Sequence, residues 1–298
     1  MKTLNAYLEA SEPQYNACIK RLDTNFEVEG VSANLRFKYV KFDGNGCPKF
    51  TTLAEVLADH ITQFCFSIQR RRNPQSFADY NRLNREAKNL LRRIATSGES
   101  GEILLYYLIE AVLKAPQLVA KMDLKTNPSL EINGSDGIHF KWDEKENILD
   151  IYFGESKLER NLSDAIDHAL ISIKDFHKNR LDEHELAMVT GHFKWASDEL
   201  KSEVLKYIDK HSPDQDCRYN HACLIGWNWS KYQKLQTKAR DAFIKNFEDI
   251  YKLRASGIAR LINNKFQNFH LKHLRFEIFL LPFESVQAFR DEFIRATS

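Results

Sequence analysis

The sequence lacks the long apolar runs and the excess of charge that identify membrane proteins and many polyanion-binding proteins. No stretch approaches the roughly 20 consecutive apolar residues of a membrane-spanning helix, and the N-terminal segment has no apolar signal-peptide core. Its 43 Lys and Arg nearly balance its 41 Asp and Glu, so the formal net charge is only +2. We therefore expect a soluble, cytoplasmic protein without membrane contact, in which any nucleic-acid site is a local patch.

Glycine-rich nucleotide-binding loops and paired cysteines are also missing. The sequence contains no GxxxxGK[ST] loop, no GxGxxG turn and no GxSxG elbow, so we expect the chain not to hydrolyse ATP itself. Its five cysteines are an odd number spread over 298 residues, which excludes a dense disulfide framework and favours a reducing compartment. Cys217, His221 and Cys223 lie close together but match no common zinc spacing. We interpret the two cysteines as buried residues in or before a strand.

The residues that are present predict a mixed β-sheet with helical cover, in the α/β (α+β) class. Hydrophobic residues make up 43% of the chain, enough for a sizeable core in about two domains. We predict an N-terminal α+β subdomain over 1–75 and a larger domain over 76–298. Thr52 and Ser163 are predicted to cap helices, and Pro282 with Ser285 is predicted to begin the last helix. Strands are predicted at 31–42, 137–142, 148–156, 222–229 and 274–281, and helices at 53–61, 76–95, 102–113, 163–176, 183–209 and 235–263.

Two of these strands flank the loop Glu144–Asn147 and are predicted to form a hairpin. In the register that matches like side chains, one face ends with Asp136 opposite Glu155, and Lys157 follows on the same face. His139 lies on the reverse face, where we expect a structural role. The apolar pairs that lead up to the two carboxylates are Trp142–Leu149, Phe140–Ile151 and Ile138–Phe153.

Two carboxylates at the end of an apolar stripe repel each other unless a cation lies between them. Carboxylate oxygens favour a hard ion such as Mg²⁺, and such ions activate water and stabilise a leaving oxygen in phosphodiester cleavage. Lys157 would add a mobile positive charge that holds the attacking water or neutralises the pentacovalent phosphate. A solvated hairpin end, in which Lys157 only pairs with Glu155, is the alternative.

The order of these features resembles the core of the PD-(D/E)xK nucleases, which is a restriction-endonuclease-like mixed sheet flanked by helices. Asp136 matches the first motif of that family, and Glu155-Ser-Lys157 matches its ExK half, although no proline precedes Asp136. The resemblance implies that Asp136, Glu155 and Lys157 are catalytic. It also implies that Asp136 and Glu155 hold Mg²⁺ or Mn²⁺, with Glu102 as a further ligand from the apolar helix. This nuclease core would cover about 98–178, followed by a helical insertion at about 180–270 and a closing strand at about 274–281.

The short sequence motifs around these residues are more specific than the D…ExK pattern itself. Ser-Gly-Glu-Ser-Gly-Glu-Ile-Leu-Leu-Tyr-Tyr-Leu, Lys121-Met-Asp-Leu-Lys125-Thr-Asn, Ser-Asp-Gly-Ile-His and Gly-Glu-Ser-Lys together resemble the HamA family, the nuclease subunits of the Hachiman antiphage system. The resemblance implies a DNA endonuclease with little sequence specificity. It also implies an ATP-dependent partner, the superfamily 2 helicase HamB, which restrains the nuclease until foreign or damaged DNA is engaged.

Several alternatives stay open on the sequence alone. Glu102 is either a metal ligand or a carboxylate that complements a helix dipole. Lys121 and Lys125 either contact DNA phosphates or are solvated. The whole protein could be an inactive adaptor that binds and regulates a DNA helicase, or an enzyme that cleaves RNA or nucleotides on the same core. Five arginines form either a DNA-binding track or exposed linker charge: Arg70, Arg71, Arg72, Arg92 and Arg93. Five aromatic residues either stack on bases or fill the core: Trp195, Trp227, Trp229, Tyr219 and Tyr232.

Overall fold

The computed structural model describes residues 4–72, 74–91, 98–117, 135–180, 186, 198–208, 217–232 and 239–298. Its strands form one mixed six-stranded sheet in the order β1-β2-β6-β5-β4-β3. Strands β2, β6, β5 and β4 are parallel, and the two edge strands are antiparallel to their neighbours. The strands are β1 (Ile19–Arg21), β2 (Ser32–Val40), β3 (Ile138–Asp143), β4 (Ile148–Glu159), β5 (Cys217–Asn228) and β6 (Arg275–Phe283). The predicted mixed α+β class is confirmed.

Helices cover both faces of this sheet. They are α1 (Glu12–Cys18), α2 (Phe50–Asp59), α3 (Ile61–Cys65), α4 (Ile68–Arg72), α5 (Phe77–Leu90), α6 (Glu99–Leu108), α7 (Leu162–Lys178), α8 (Asp198–Ile208), α9 (Arg240–Gln267) and α10 (Val286–Thr297). A 3₁₀ turn at Leu4–Tyr7 precedes α1, and a π-helical turn at Ile109–Leu113 continues α6. None of the described helices is both long enough and apolar enough to cross a bilayer.

Alternation along the strands divides the core into two layers. Leu224 on β5 and Leu281 on β6 lie in the cluster that contains α2, α6 and α10. Their neighbours Ile225 and Leu280 lie in the opposite cluster, with α7 and α9. Successive strand residues point to opposite faces, so continuous apolar strands are required where helices cover both sides. The same demand explains why α6 is apolar nearly all round, because it is buried between the sheet and the outer helices.

The predicted hairpin register is confirmed. Ile138 pairs with Phe153, Phe140 with Ile151 and Trp142 with Leu149, all antiparallel. Strand β4 continues beyond its predicted end at residue 156, because its parallel pairing with β5 extends to Glu159 and Trp227.

Two predicted helix caps are wrong. Helix α2 begins at Phe50 with Lys49 as N-cap, and α7 begins at Leu162 with Asn161 as N-cap, so Thr52 and Ser163 lie inside the first turns. In both cases a buried apolar side chain at the first helical position extends the helix: Phe50 stacks on a ring of β6, and Leu162 packs in the core with α9. The apolar helix likewise begins at Glu99, ahead of its predicted start. Tertiary packing outweighs a favourable capping residue nearby.

The segment before residue 75 shares its sheet and core with the rest of the chain. Strand β2 pairs with β6, near the other end of the sequence. Leu53 and Leu57 of α2 lie in one cluster with Phe289 and Phe293 of α10. The segment 180–270 likewise contributes β5, which lies in the interior of the sheet. The division of the chain at residue 75 stays a prediction.

Candidate active site

Strand β4 carries a row of charged side chains along one face in its second half. Glu155, Lys157 and Glu159 share this face because they alternate along the strand. The Lys157 ammonium lies 2.6 Å from Glu155 Oε1, and the side-chain exposures are 27% and 12% respectively. This ion pair is therefore partly removed from water. Its charges attract each other more strongly than they would at a fully exposed surface.

Asp136 precedes the first residue of β3 and joins this row through Ser156, whereas the sequence predicts that it stands opposite Glu155. The backbone N–H of Asp136 donates to Gly154 O at 2.8 Å, and the Gly154 N–H donates to Gly137 O at 2.9 Å. Asp136 Oδ2 then accepts two hydrogen bonds from Ser156, at 2.6 Å from its N–H and 2.7 Å from its hydroxyl. The Asp136 carboxylate thus accepts the Ser156 N–H in place of the backbone carbonyl that would accept it if regular strand pairing continued. Asp136 is held by Ser156 instead of standing directly opposite Glu155.

The three charged groups are electrostatically linked. Burial and, next, the negative charge of Asp136 raise the pKa of Glu155 to about 7, against the opposite effect of Lys157. Burial acts to lower the pKa of Lys157, but the carboxylates of Glu155 and Asp136 outweigh it, so this pKa is above its usual value. Cys223 on β5 pairs with Glu155 on β4. Burial and the same two carboxylates raise the pKa of its thiol. Two carboxylates and one ammonium therefore share one partly buried field.

Helix α7 covers the charged row. Ser172 hydrogen-bonds Glu155. One turn earlier, His168 Nδ1 lies 2.6 Å from Glu159 Oε1. These contacts attach α7 to β4 on both sides of Lys157, since residues 168 and 172 share one helix face. Sequence reasoning missed Ser172, His168 and Glu159, although the four-residue spacing on the helix and the alternation on the strand were available as signals.

Glu102 lies in the first turn of α6. Its neighbour Gly101 packs against β4 so closely that a Cβ there would lie 3.1 Å from Ser156 Oγ. Helix α6 lies on the face of β4 opposite to α7. The structure thus brings the first turn of α6 beside the serine that holds Asp136.

The donor set fits a cation with two carboxylate ligands. Asp136 Oδ1 makes no hydrogen bond within the described residues, so it is open to a ligand. Burial and then the charge of Asp136 raise the pKa of Glu155, and a bound cation would offset both effects by stabilising the carboxylate. In the described part of the chain, no three His, Cys, Asp or Glu side chains form a group that could hold a metal.

Other predicted residues fall outside the site or outside the described residues. Lys121 and Lys125 lie outside the described residues, and so do Arg92, Arg93 and Trp195. His139 is structural, as expected: it is 1% exposed, its Nδ1 lies 2.9 Å from Ala115 O, and burial lowers its pKa to about 4.

The Cys217, His221 and Cys223 group behaves as a packed strand. His221 bonds His177 between their Nε2 atoms at 2.8 Å, and burial lowers its pKa to about 3. Cys223 is 3% exposed, while Cys217 is half-buried at the start of β5. The described tryptophans also fill the core, since Trp227 and Trp229 pack on rings of α9.

The fold and the site define a mixed α+β sheet protein with an aspartate, a glutamate and a lysine gathered near the end of β4. A comparison with curated proteins finds no match. The family model described as HamA matches residues 16–297. The chain therefore belongs to the HamA family, as its sequence words predict, and this membership supports a role as a component of Hachiman antiviral defence.

Proposed function

We propose that the chain is a metal-dependent DNA endonuclease, the effector of a two-component antiphage system. One observation carries this proposal: Asp136, Glu155 and Lys157 meet in a partly buried field in which burial and Asp136 raise the pKa of Glu155 to about 7. Perturbed carboxylates beside a lysine can hold a metal ion and stabilise the charge that develops in phosphodiester hydrolysis. Membership of the HamA family supports the defence role.

Asp136 and Glu155 would hold Mg²⁺, or Mn²⁺ in its place, with Glu102 as a candidate further ligand. The bound ion would supply an activated water and stabilise the leaving oxygen. Ser156 orients Asp136 by two hydrogen bonds, so this carboxylate is positioned before any ligand arrives. Lys157 would place its ammonium beside the transferring phosphate, where positive charge stabilises the transition state.

The proposed substrate is DNA cut with little sequence specificity, because no base-reading module is recognisable in the sequence. Lys121 and Lys125 are proposed phosphate contacts. A superfamily 2 helicase, HamB, is the proposed partner that restrains the nuclease and supplies ATP-driven movement in trans.

The test is cleavage of supercoiled and linear plasmid by the purified protein, with and without the helicase and ATP, in Mg²⁺ and in EDTA. Lys157→Ala should lower the cleavage rate about 10²–10³-fold, because it removes one group that stabilises the transition state. Asp136→Asn should abolish metal-dependent cutting. Lys145→Ala, in the exposed turn between β3 and β4, is the matched control and should cut normally. An RNA and a nucleotide substrate in the same assay identify the reaction if DNA is not the target.

A second candidate is a non-catalytic adaptor that binds and regulates the helicase. The observation in its favour is that both carboxylates already have partners within the protein, Lys157 for Glu155 and Ser156 for Asp136. Thermal unfolding with Mg²⁺ separates the two functions. An intact site gains about 2.7 kcal/mol at a metal concentration 100-fold above its dissociation constant, whereas the adaptor gains nothing.

A further inference from the structure

The outward face of α5 carries two exposed aromatic rings. Phe77 is 81% exposed and Tyr80 is 49% exposed. The only buried residues of this helix are Leu83 and Ala87, which attach it to the core. Phe77 and Tyr80 are three residues apart, so both rings expose apolar surface on the same side of the helix.

The rings continue into a polar and basic stripe along the same helix. Phe77, Asn81 and Arg85 follow one another at intervals of four residues, and Asn84 and Lys88 lie between them on the same side. We call these five residues, together with Tyr80, the α5 face. It extends over about 16 Å, since each helical residue advances the axis by about 1.5 Å.

No carboxylate belongs to the α5 face. The two acidic residues of the helix lie on its flank, where Asp79 pairs with Arg82 at 2.6 Å and Glu86 pairs with Arg70 at 2.9 Å. Among the described residues Arg85 has no ion pair, whereas Lys88 Nζ donates to Ser298 O at 3.3 Å. Because neither basic side chain is paired with a carboxylate side chain, the α5 face carries positive charge, although the whole chain has a formal net charge of only +2.

Two exposed rings beside an arginine without an ion pair match one ligand chemistry better than others. Single-stranded nucleic acid presents flat bases, which stack on aromatic side chains, and phosphates, which attract Arg and Lys. A duplex hides the faces of its bases, so the rings would gain little from it. We propose that the α5 face binds single-stranded DNA, with bases on Phe77 and Tyr80 and a phosphate on Arg85.

This binding surface deepens the proposed nuclease function, and it rests on that function for the identity of the strand as DNA. Helix α5 leads into α6, whose first turn lies beside Ser156 of the candidate site. The connection from Leu91 to Gly98 has seven steps and spans at most about 25 Å. The C-terminal end of α5 therefore lies within about 25 Å of the first turn of α6.

The test is fluorescence anisotropy of the full chain in EDTA with a labelled oligothymidylate, so that binding is measured without cutting. Phe77→Ala should weaken binding about tenfold, which corresponds to the loss of one stacked base at about 1.4 kcal/mol. Phe77→Trp should restore it. Arg85→Ala should lower the slope of binding against salt by about 0.7, the value for one phosphate contact on a single strand.

Matched controls lie on α9. Leu253→Ala removes a side chain that is 78% exposed, and Arg260→Ala removes an exposed arginine, and neither should alter the affinity. The proposal is overturned if Phe77→Ala binds like the wild type, if duplex binds as tightly as the single strand, or if polyglutamate competes better than DNA. The last result would identify an acidic protein partner.

The two proposals fail in distinguishable ways. Wild-type protein that binds the oligothymidylate but never cuts plasmid contradicts the nuclease and leaves the α5 face intact. Protein that cuts plasmid while Phe77→Ala binds the single strand as well as the wild type contradicts the α5 face alone.

Discussion

Glu155 should make the protein without metal less stable as pH rises. Its carboxyl has an ordinary pKa of 4.5 and a folded-state pKa of about 7, raised by burial and then by Asp136. Between these values the folded state holds a proton that the unfolded state has lost, so the free energy of unfolding falls as pH increases. The full loss is about 3–4 kcal/mol, because the pKa rises by about 2.5 and each pKa unit corresponds to about 1.4 kcal/mol, and it is complete above pH 7.

Urea unfolding in EDTA from pH 5 to pH 8 measures this effect in the wild type and in Glu155→Gln. Glu110 contributes in the same pH window, because burial also raises its pKa to about 7, and His139 contributes in the opposite direction at lower pH. Both groups are present in both proteins, so the difference between the two curves isolates Glu155. Glu144→Gln, in the exposed turn, is the control and should follow the wild type. Identical pH slopes for the wild type and Glu155→Gln would refute the reasoning.

Two further predictions concern stability alone and can be read from thermal unfolding. Gly226→Ala should cost about 1–3 kcal/mol, because the added Cβ would lie 2.8 Å from a ring carbon of Phe283 in the core, whereas Gly44→Ala meets nothing within 4 Å and should not cost stability by crowding. Ser285→Ala should cost about 1 kcal/mol, since Ser285 Oγ accepts the Ala288 N–H at the start of α10; an unchanged melting temperature would contradict that capping role.

Elements with strong local patterns were predictable from the sequence. The β3–β4 register follows from the four-residue loop at Glu144–Asn147, and alternation supports it because a slip by one residue would move the apolar side chains of one strand to the opposite face. Of the two residues predicted to begin the last helix, Ser285 is its N-cap, whereas Pro282 lies in β6, whose pairing with β5 extends to Phe283. Thr52 and Ser163 failed as caps because Phe50 and Leu162 have partners that are distant in sequence, and a local pattern contains no information about such partners.

The same distinction applies to the candidate site. Asp136, Glu155 and Lys157 were identifiable because they lie on the two arms of one hairpin. Antiparallel pairing on either side of the turn brings such residues together. The contacts of Ser172 and His168 were not predicted, since they depend on how α7 crosses β4. Assigning a binding role to the α5 face required knowledge of which side of that helix faces the core.

The α+β class, the hairpin register, the placement of Glu155 and Lys157 on one strand face and the family were predictable from the amino-acid sequence. These features depend on side-chain periodicity and on short sequence motifs, which are local properties of the chain. The pairing of β2 with β6, the enclosure of β4 by α6 and α7 from opposite faces and the raised pKa of Glu155 emerged from the three-dimensional structure alone. Parallel pairing joins residues far apart in the chain, and a pKa depends on the solvent and charge around a group, so neither follows from local order.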